Sequence, residues 1–196
     1  MRYFDPFVQL FANQGYAVLQ VNFRGSGGYG NSYLTKGYGQ WGKAMQTDIL
    51  DAIEYVKVNK LADTNNSCIA GASYGGYAAL IAGFQTPDQF KCIVSIAGVS
   101  NMNDQATHWK RQGDKNYINQ AVKNKNDSLD DISPVYHASK FKAPVLLIHG
   151  KVDTRVSFRQ SEQMEKALKK AGKSVDYTLF KYGTHNLDDA VNRIKA

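Results

Sequence analysis

Short apolar runs alternate with helical patterns along this chain. The runs are rich in valine and isoleucine, and most are apolar on both faces, as parallel strands covered by helices should be. Five segments fit this description: residues 16–22, 68–71, 92–97, 144–149 and 175–180. Because alternating strands and helices are typical of a doubly wound sheet, the pattern predicts an α/β fold with a mostly parallel sheet.

Two segments carry the clearest helical signals. In residues 41–57, apolar side chains recur at steps of three and four and form one stripe. A second helix is expected to begin near Ser157, where Ser157 and Gln160 have the spacing of a capping box, and to end at Gly172. The polar segment 101–139 lies between two predicted strands and is interpreted as a mostly helical excursion.

Composition narrows the class of protein. The 196 residues suit one α/β domain over 1–196 and are too few for two domains with large cores. The net charge of +7 comes from scattered cations, so no nucleic-acid partner is expected. No segment reaches the roughly 18 apolar residues of a membrane span, so no membrane partner is expected either. The four histidines do not have the spacing of a metal-binding motif. We therefore expect no metal site and no cofactor.

The two cysteines bear on the compartment. Cys68 and Cys92 form no C-x-x-C unit. Two free, buried thiols in a reducing compartment are the preferred interpretation, and a cytoplasmic location is therefore expected.

A G-x-S-x-G sequence centred on Ser73 suggests a nucleophile. An apolar strand precedes it and a helical segment, 77–82, follows it. A strand-to-helix elbow of this kind holds the serine in a strained conformation with its hydroxyl exposed. We expect Gly71 and Gly75 to be required, because side chains there would collide across the turn. The alternative is an ordinary serine in a glycine-rich turn.

Two further residues complete a candidate triad. A serine hydroxyl needs a base to become nucleophilic, and the base needs an orienting acid. Asp153 follows one predicted strand and His185 follows the last one, so both are expected at the same carboxyl edge as Ser73. The order Ser, Asp, His is that of α/β-hydrolases. His149 is interpreted as a packed histidine and Asp48 as the partner of a nearby loop.

A second glycine motif does not fit a nucleotide site. Gly25, Gly27 and Gly30 form a G-x-G-x-x-G after the first predicted strand. A dinucleotide site would open a helix at once and place an acid at the end of the next strand. Here more glycines follow, and the acids fall in the middle of a predicted helix.

These motifs together resemble one family. Residues 22–30 (NFRGSGGYG), residues 71–77 (GASYGGY), His149-Gly150 with Asp153 and Val156, and finally His185 are similar to the catalytic domain of the prolyl oligopeptidase family of serine peptidases. The similarity is strongest to its dipeptidyl-peptidase and acylaminoacyl-peptidase branches, and the motifs span nearly the whole sequence.

The resemblance implies an α/β-hydrolase fold and cleavage of short peptides through an acyl-enzyme. It implies that the backbone N–H of Tyr74 binds the oxyanion. It also implies a pocket for the residue before the scissile bond, lined by Tyr77, Val99, Trp109 and Val156. A carboxylesterase with the same triad and a catalytically impaired hydrolase-like fragment remain the alternatives.

Two features of the family have no counterpart here. Its members carry an N-terminal β-propeller, and they have a strand and an oxyanion-binding turn ahead of the helix predicted near residues 5–14. The sequence is therefore expected to be a fragment that lacks the N-terminal strands of the sheet. The missing strand would lie between residues 16–22 and 68–71, so we expect exposed sheet edges through which the chain could form homo-oligomers.

Overall fold

One parallel sheet organises the structure. A computed structural model describes residues 5–114, 117–123 and 127–188. Neighbouring strands follow sequence order: β1 Cys68–Ala72, β2 Cys92–Ile96, β3 Val145–Gly150 and β4 Val175–Phe180. The α-helices are α1 Pro6–Asn13, α2 Asn31–Thr35, α3 Ala44–Val58, α4 Tyr74–Gln85, α5 Met102–Arg111 and α6 Arg159–Lys170. Short 3₁₀ segments cover Thr64–Asn66 and Pro134–Lys140, and a π-helical turn covers Ile118–Val122. None of these described helices is long and apolar enough to cross a membrane.

The main core lies where α4 and α6 pack on the sheet. Helix α4 contacts β1 and β2, α6 contacts β3 and β4, and the 3₁₀ segment Pro134–Lys140 packs against both helices. Most of the largest fully buried apolar side chains belong to this layer: Tyr77, Phe141, Leu80, Ile81, Ile93, Leu147, Met164 and Leu168. A smaller cluster of Ile148, Phe180 and Leu187 forms separately. The packing of α4 and α6 therefore stabilises the sheet whose carboxyl edge carries the loops described below.

The predicted helices are present with shifted beginnings. Helix α3 begins at Ala44, so Trp41 lies in the turn before it. Helix α6 begins at Arg159 and ends before Gly172, which has the positive φ of 69° typical of a helix end. The predicted capping box is wrong. The side-chain Oε1 of Gln160 instead accepts hydrogen bonds from the backbone N–H groups of Ser100 and Asn101.

Residues 16–22 do not form the predicted strand. The segment pairs with no described strand, and its apolar side chains are exposed, including Tyr16 at 61% and Leu19 at 49%. β1 pairs only with β2 among the described residues, so its outer edge is open. A strand requires a hydrogen-bonding neighbour. Among the described residues, no strand pairs with residues 16–22, and their apolar pattern alone does not reveal this.

The two cysteines form a disulfide, which corrects the prediction of free, buried thiols. Cys68 and Cys92 are paired directly across β1 and β2 with Cα atoms 4.7 Å apart. Cys68 is exposed because it lies on the edge strand. The expectation of a cytoplasmic location loses the support of free thiols, since disulfides persist mainly in oxidising compartments.

Candidate active site

Ser73 lies at a sharp elbow between β1 and α4. Its backbone has φ 54° and ψ −115°, a strained conformation for a residue other than glycine. A hydrogen bond of 2.8 Å from its backbone N–H to the carbonyl of Ile96 ties the elbow to the neighbouring strand. The strand and the helix therefore hold the serine in the conformation that the G-x-S-x-G sequence predicts.

The two motif glycines are not equivalent. A Cβ atom at Gly71 would lie 2.4 Å from the backbone carbon of Gly75, so only glycine fits at residue 71. A Cβ atom at Gly75 would meet nothing within 4 Å, and the prediction that bulk there collides is wrong. The next residue of the helix, Gly76, is crowded, because a Cβ atom there would lie 2.9 Å from Ser95 Oγ. The turn is tight on the strand side, whereas Gly75 borders open space.

The loops that carry Asp153 and His185 are joined to each other. A Cβ atom at Gly150 would lie 2.2 Å from the carbonyl oxygen of Gly183, so glycine at the end of β3 permits this close approach. The backbone N–H of Val152 then donates to the same carbonyl at 3.0 Å. This contact brings the turn after β3 and the loop after β4 together at the carboxyl edge of the sheet.

The structure brings together the three residues of the predicted triad, with His185 between the other two. His185 Nε2 is 3.0 Å from Ser73 Oγ, and His185 Nδ1 is 2.7 Å from Asp153 Oδ2. Both distances are within hydrogen-bonding range. The Asp153 carboxylate is completely buried, whereas the His185 side chain retains 10% exposure. Ser73 and His185 line a shared cavity, so a ligand in it could reach the hydroxyl.

The environment of Asp153 keeps it ionised. Burial alone would raise its pKa, but hydrogen bonds from His149, from His185 and from the backbone N–H groups of Val156 and Arg155 lower the pKa well below its usual range. A permanently negative carboxylate can hold the Nδ1–H of His185 and stabilise a positive imidazolium ring. Among the described residues, no group of three or more His, Cys, Asp or Glu side chains could hold a metal ion.

A cavity of about 390 Å³ opens in front of Ser73. Three of the four predicted pocket residues line it, namely Val99, Trp109 and Val156. The fourth, Tyr77, is fully buried and does not line the cavity, so the prediction that it contacts the substrate is not supported by its position. Its ring instead packs 5.3 Å from that of Trp41 and supports the wall from behind.

Sequence reasoning missed several residues of this wall. Trp41, the Tyr74 side chain, Tyr117 and Arg155 also line the cavity. The ring of Trp41 is 4.6 Å from Tyr74 and 6.0 Å from Trp109, both edge to face. A tryptophan on the apolar stripe of a predicted helix is usually buried in a core, and only its place in the turn before α3 directs it to the cavity.

Tyr74 contributes a backbone group and a side chain to the site. As the first residue of α4, it has a backbone N–H without an intrahelical acceptor, beside the serine. Its hydroxyl donates to Met45 Sδ at 3.4 Å. Burial, with a further contribution from the charge of Asp48, raises the pKa of the phenol far above its usual value. The side chain is therefore a neutral part of the aromatic wall.

The glycine-rich segment 22–30 is a clamped loop. Asp48 of α3 accepts from the Arg24 side chain at 2.8 and 2.6 Å and from the Arg24 backbone N–H at 2.9 Å. The interpretation of Asp48 as the partner of a nearby loop is confirmed. The loop leads only into the five-residue helix α2, and its arginine is committed to an ion pair, so nothing in it resembles a dinucleotide cradle.

Comparison with known proteins identifies the family that this chain resembles. The sequence pattern of the prolyl oligopeptidase family matches residues 2–196. Dipeptidyl peptidase family member 6 of Caenorhabditis elegans is 36% identical over 201 residues, an alignment that covers 98% of this chain and 27% of the relative. The acylamino-acid-releasing enzyme of Arabidopsis thaliana is 30% identical over 184 residues, covering 89% of this chain and 24% of the relative.

Solved structures agree with the sequence relatives. An acylaminoacyl peptidase in complex with Z-Gly-Gly-Phe-chloromethyl ketone has a TM-score of 0.89 and 32% identity, over 98% of this chain and 32% of that one. An acylaminoacyl peptidase of Pyrococcus horikoshii has a TM-score of 0.88 and 31% identity over the same shares. The predicted α/β-hydrolase fold is thus confirmed, and the chain spans about a quarter of the length of the curated relatives it matches. On its sequence and its fold, this chain belongs to the prolyl oligopeptidase family.

Proposed function

We propose that this chain carries the catalytic site of a serine peptidase that cleaves short peptides through an acyl-enzyme. The observation that carries the proposal is the unbroken hydrogen-bond relay from Ser73 through His185 to Asp153, which opens into a cavity. The family supports a peptide bond as the target, because relatives are named as a dipeptidyl peptidase and an acylamino-acid-releasing enzyme.

The first half of the proposed reaction forms the acyl-enzyme. Ser73 Oγ attacks the carbonyl carbon of the scissile bond while His185 Nε2 takes its proton. Asp153 keeps the imidazole oriented and stabilises its positive charge. The oxyanion lies at the N-terminus of α4, where the backbone N–H of Tyr74 donates to it and the helix dipole favours negative charge.

The second half releases both products. His185 returns the proton to the leaving amine, the C–N bond breaks and Ser73 is left as an ester. A water molecule then attacks the ester carbonyl and gives one proton to His185. The C–O bond to Ser73 breaks, the proton moves to Ser73 Oγ, and the carboxylic acid leaves.

The cavity walls suggest the side chain that precedes the scissile bond. Val99, Val156, Trp41 and Trp109 supply apolar and aromatic surface beside Ser73, which favours an apolar or aromatic residue. A solved relative in complex with Z-Gly-Gly-Phe-chloromethyl ketone supports this choice, because the phenylalanine of that compound is aromatic. Arg155, which also lines the cavity, adds a positive charge that could pair with a carbonyl oxygen of the peptide.

Labelling with a fluorophosphonate tests the proposed nucleophile. The purified chain should take up one label, located at Ser73 by mass spectrometry of the digested protein. Ser73→Ala should abolish labelling and leave thermal unfolding unchanged, because the elbow depends on Gly71 and not on the hydroxyl. A Ser73→Ala protein that still carried a label at one site would place the nucleophile elsewhere.

Turnover of matched amide and ester substrates then separates the enzymatic alternatives. A peptidase should hydrolyse both a peptide amide and the corresponding ester, with the amide reaction lost in Ser73→Ala. An esterase should hydrolyse only the ester, since esters need less assistance to the leaving group. A chain that took no label and hydrolysed neither substrate would be the catalytically impaired module.

A further inference from the structure

Side chains outside the relay hold the turn that carries Asp153. Three successive backbone carbonyls of this turn accept hydrogen bonds from side chains. The donors lie in α5, directly after α5 and in β3. The donors are Gln112 and His108 to Thr154 at 3.0 and 2.9 Å, Gln105 to Arg155 at 3.0 Å and His149 to Val156 at 2.9 Å. Among these four donors, His149 is the one whose ring also approaches the Asp153 carboxylate, with Nε2 3.3 Å from Oδ2.

His149 is fixed at both ring nitrogens. It lies in β3, four residues before Asp153, and its side chain is completely buried. Because the Val156 carbonyl can only accept, Nε2 carries the proton that it donates there. On the opposite side of the ring, Nδ1 lies 2.8 Å from Ser161 Oγ in α6. The ring therefore has one orientation, with its Nε2–H directed at the turn.

The Asp153 carboxylate lies between two imidazole rings. Oδ1 accepts from the backbone N–H groups of Arg155 and Val156 at 2.8 and 3.0 Å. Oδ2 accepts from His185 Nδ1 at 2.7 Å. It also lies 3.3 Å from His149 Nε2, whose single N–H is shared between this oxygen and the Val156 carbonyl. In a buried site, water does not replace a donor that is removed, so the carboxylate would relax toward its remaining partners.

We propose that His149 is a positioning residue that holds Oδ2 of Asp153 toward Nδ1 of His185. It touches neither substrate nor Ser73 and acts on the reaction only through the carboxylate. This inference rests on the proposed function of the relay. It differs from the sequence interpretation of His149 as a packed histidine, because it assigns the ring an effect on turnover beyond its packing.

Substitutions at two neighbouring positions separate positioning from packing. His149→Phe keeps the ring and removes both nitrogens, whereas His149→Gln keeps a side-chain N–H donor. Ser161→Ala is the matched control, because it removes only the partner on the far side of the ring. Should His149→Phe fail to fold, His149→Asn replaces it, since the shorter amide falls short of Oδ2.

Two readouts are measured on every variant. The first is the rate of labelling at Ser73 together with kcat and KM for an ester substrate. The second is the low-field proton NMR resonance of His185 Nδ1–H, recorded in a Ser73→Ala background so that it does not depend on activity. His149→Phe should lower kcat and the labelling rate by about 10–100-fold, as loss of an outer hydrogen-bond partner does in metal sites. KM should stay within about twofold of its original value, and the resonance should shift or disappear.

The control variants complete the test. His149→Gln should recover most of the labelling rate and the resonance, and Ser161→Ala should leave the resonance in place. If His149→Phe leaves the resonance unmoved and slows labelling no more than Ser161→Ala does, His149 only packs and the inference is overturned. If Ser73 takes no label in the unsubstituted protein while the resonance responds to His149→Phe, the proposed function fails and the positioning role stands.

Discussion

The two glycines that flank Ser73 should respond to alanine in opposite directions. At Gly71, the added Cβ atom would lie 2.4–2.7 Å from three backbone atoms of Gly75, far inside van der Waals contact. Backbone atoms cannot rotate away, so the strand and the helix must separate, and overpacking of this kind costs about 3 kcal/mol. At Gly75, the added methyl group meets nothing within 4 Å, and replacing a helical glycine with alanine stabilises by about 0.5–1 kcal/mol.

Thermal unfolding followed by circular dichroism measures both effects. For a chain of this length, 1 kcal/mol shifts Tm by about 2–4 °C. Gly71→Ala should therefore lower Tm by about 6–12 °C, and Gly75→Ala should raise it by about 1–4 °C. Gly76→Ala serves as a third point and should lower Tm, because its Cβ atom would lie 2.9 Å from Ser95 Oγ and 3.0 Å from the Gly98 Cα atom. A Gly75→Ala protein that lost as much stability as Gly71→Ala would refute the description of the elbow.

Three further predictions concern the acid, the disulfide and the open edge. The hydrogen bonds that lower the pKa of Asp153 contribute stability that is fully present above its unfolded pKa of about 3.9 and is lost as pH falls through the lower folded pKa. The difference in unfolding free energy between the unsubstituted protein and Asp153→Asn, measured in urea, should thus shrink as pH falls below about 4. A difference that grew below that pH would contradict this. Iodoacetamide should modify neither Cys68 nor Cys92 before reduction and both after it, and adducts on the unreduced protein would show that the thiols are free. Reduction should also lower the free energy of unfolding by about 3 kcal/mol, because the disulfide closes a separation of 24 residues. We expect the open edge of β1 and the exposed apolar residues 16–22 to drive self-association. Light scattering should therefore detect species larger than a monomer, and the double substitution Val18→Lys, Leu19→Lys should reduce their amount. A strictly monomeric unsubstituted chain would contradict this expectation.

The sequence determined the relay because its members obey a topological rule. Ser73, Asp153 and His185 each follow a run that reads as a strand, and the carboxyl ends of parallel strands share one edge of the sheet. A local pattern and one rule of connectivity therefore sufficed to bring together residues 32 and 112 positions apart. The elbow at Ser73 was predictable for the same reason, since its glycine-flanked turn is encoded by neighbours in sequence.

Only the tertiary structure decided the features that depend on contacts between distant segments. Residues 16–22 have a strand-like pattern, but a pattern cannot supply the neighbour that a strand needs. The disulfide forms because Cys68 and Cys92 are paired in the register of β1 and β2. Trp41 lines the cavity because α3 begins only after it. Gly75 has room for a side chain because a Cβ atom there would meet nothing within 4 Å. Each of these depends on distances between segments remote in sequence, and periodicity and spacing report only on the chain's near neighbours.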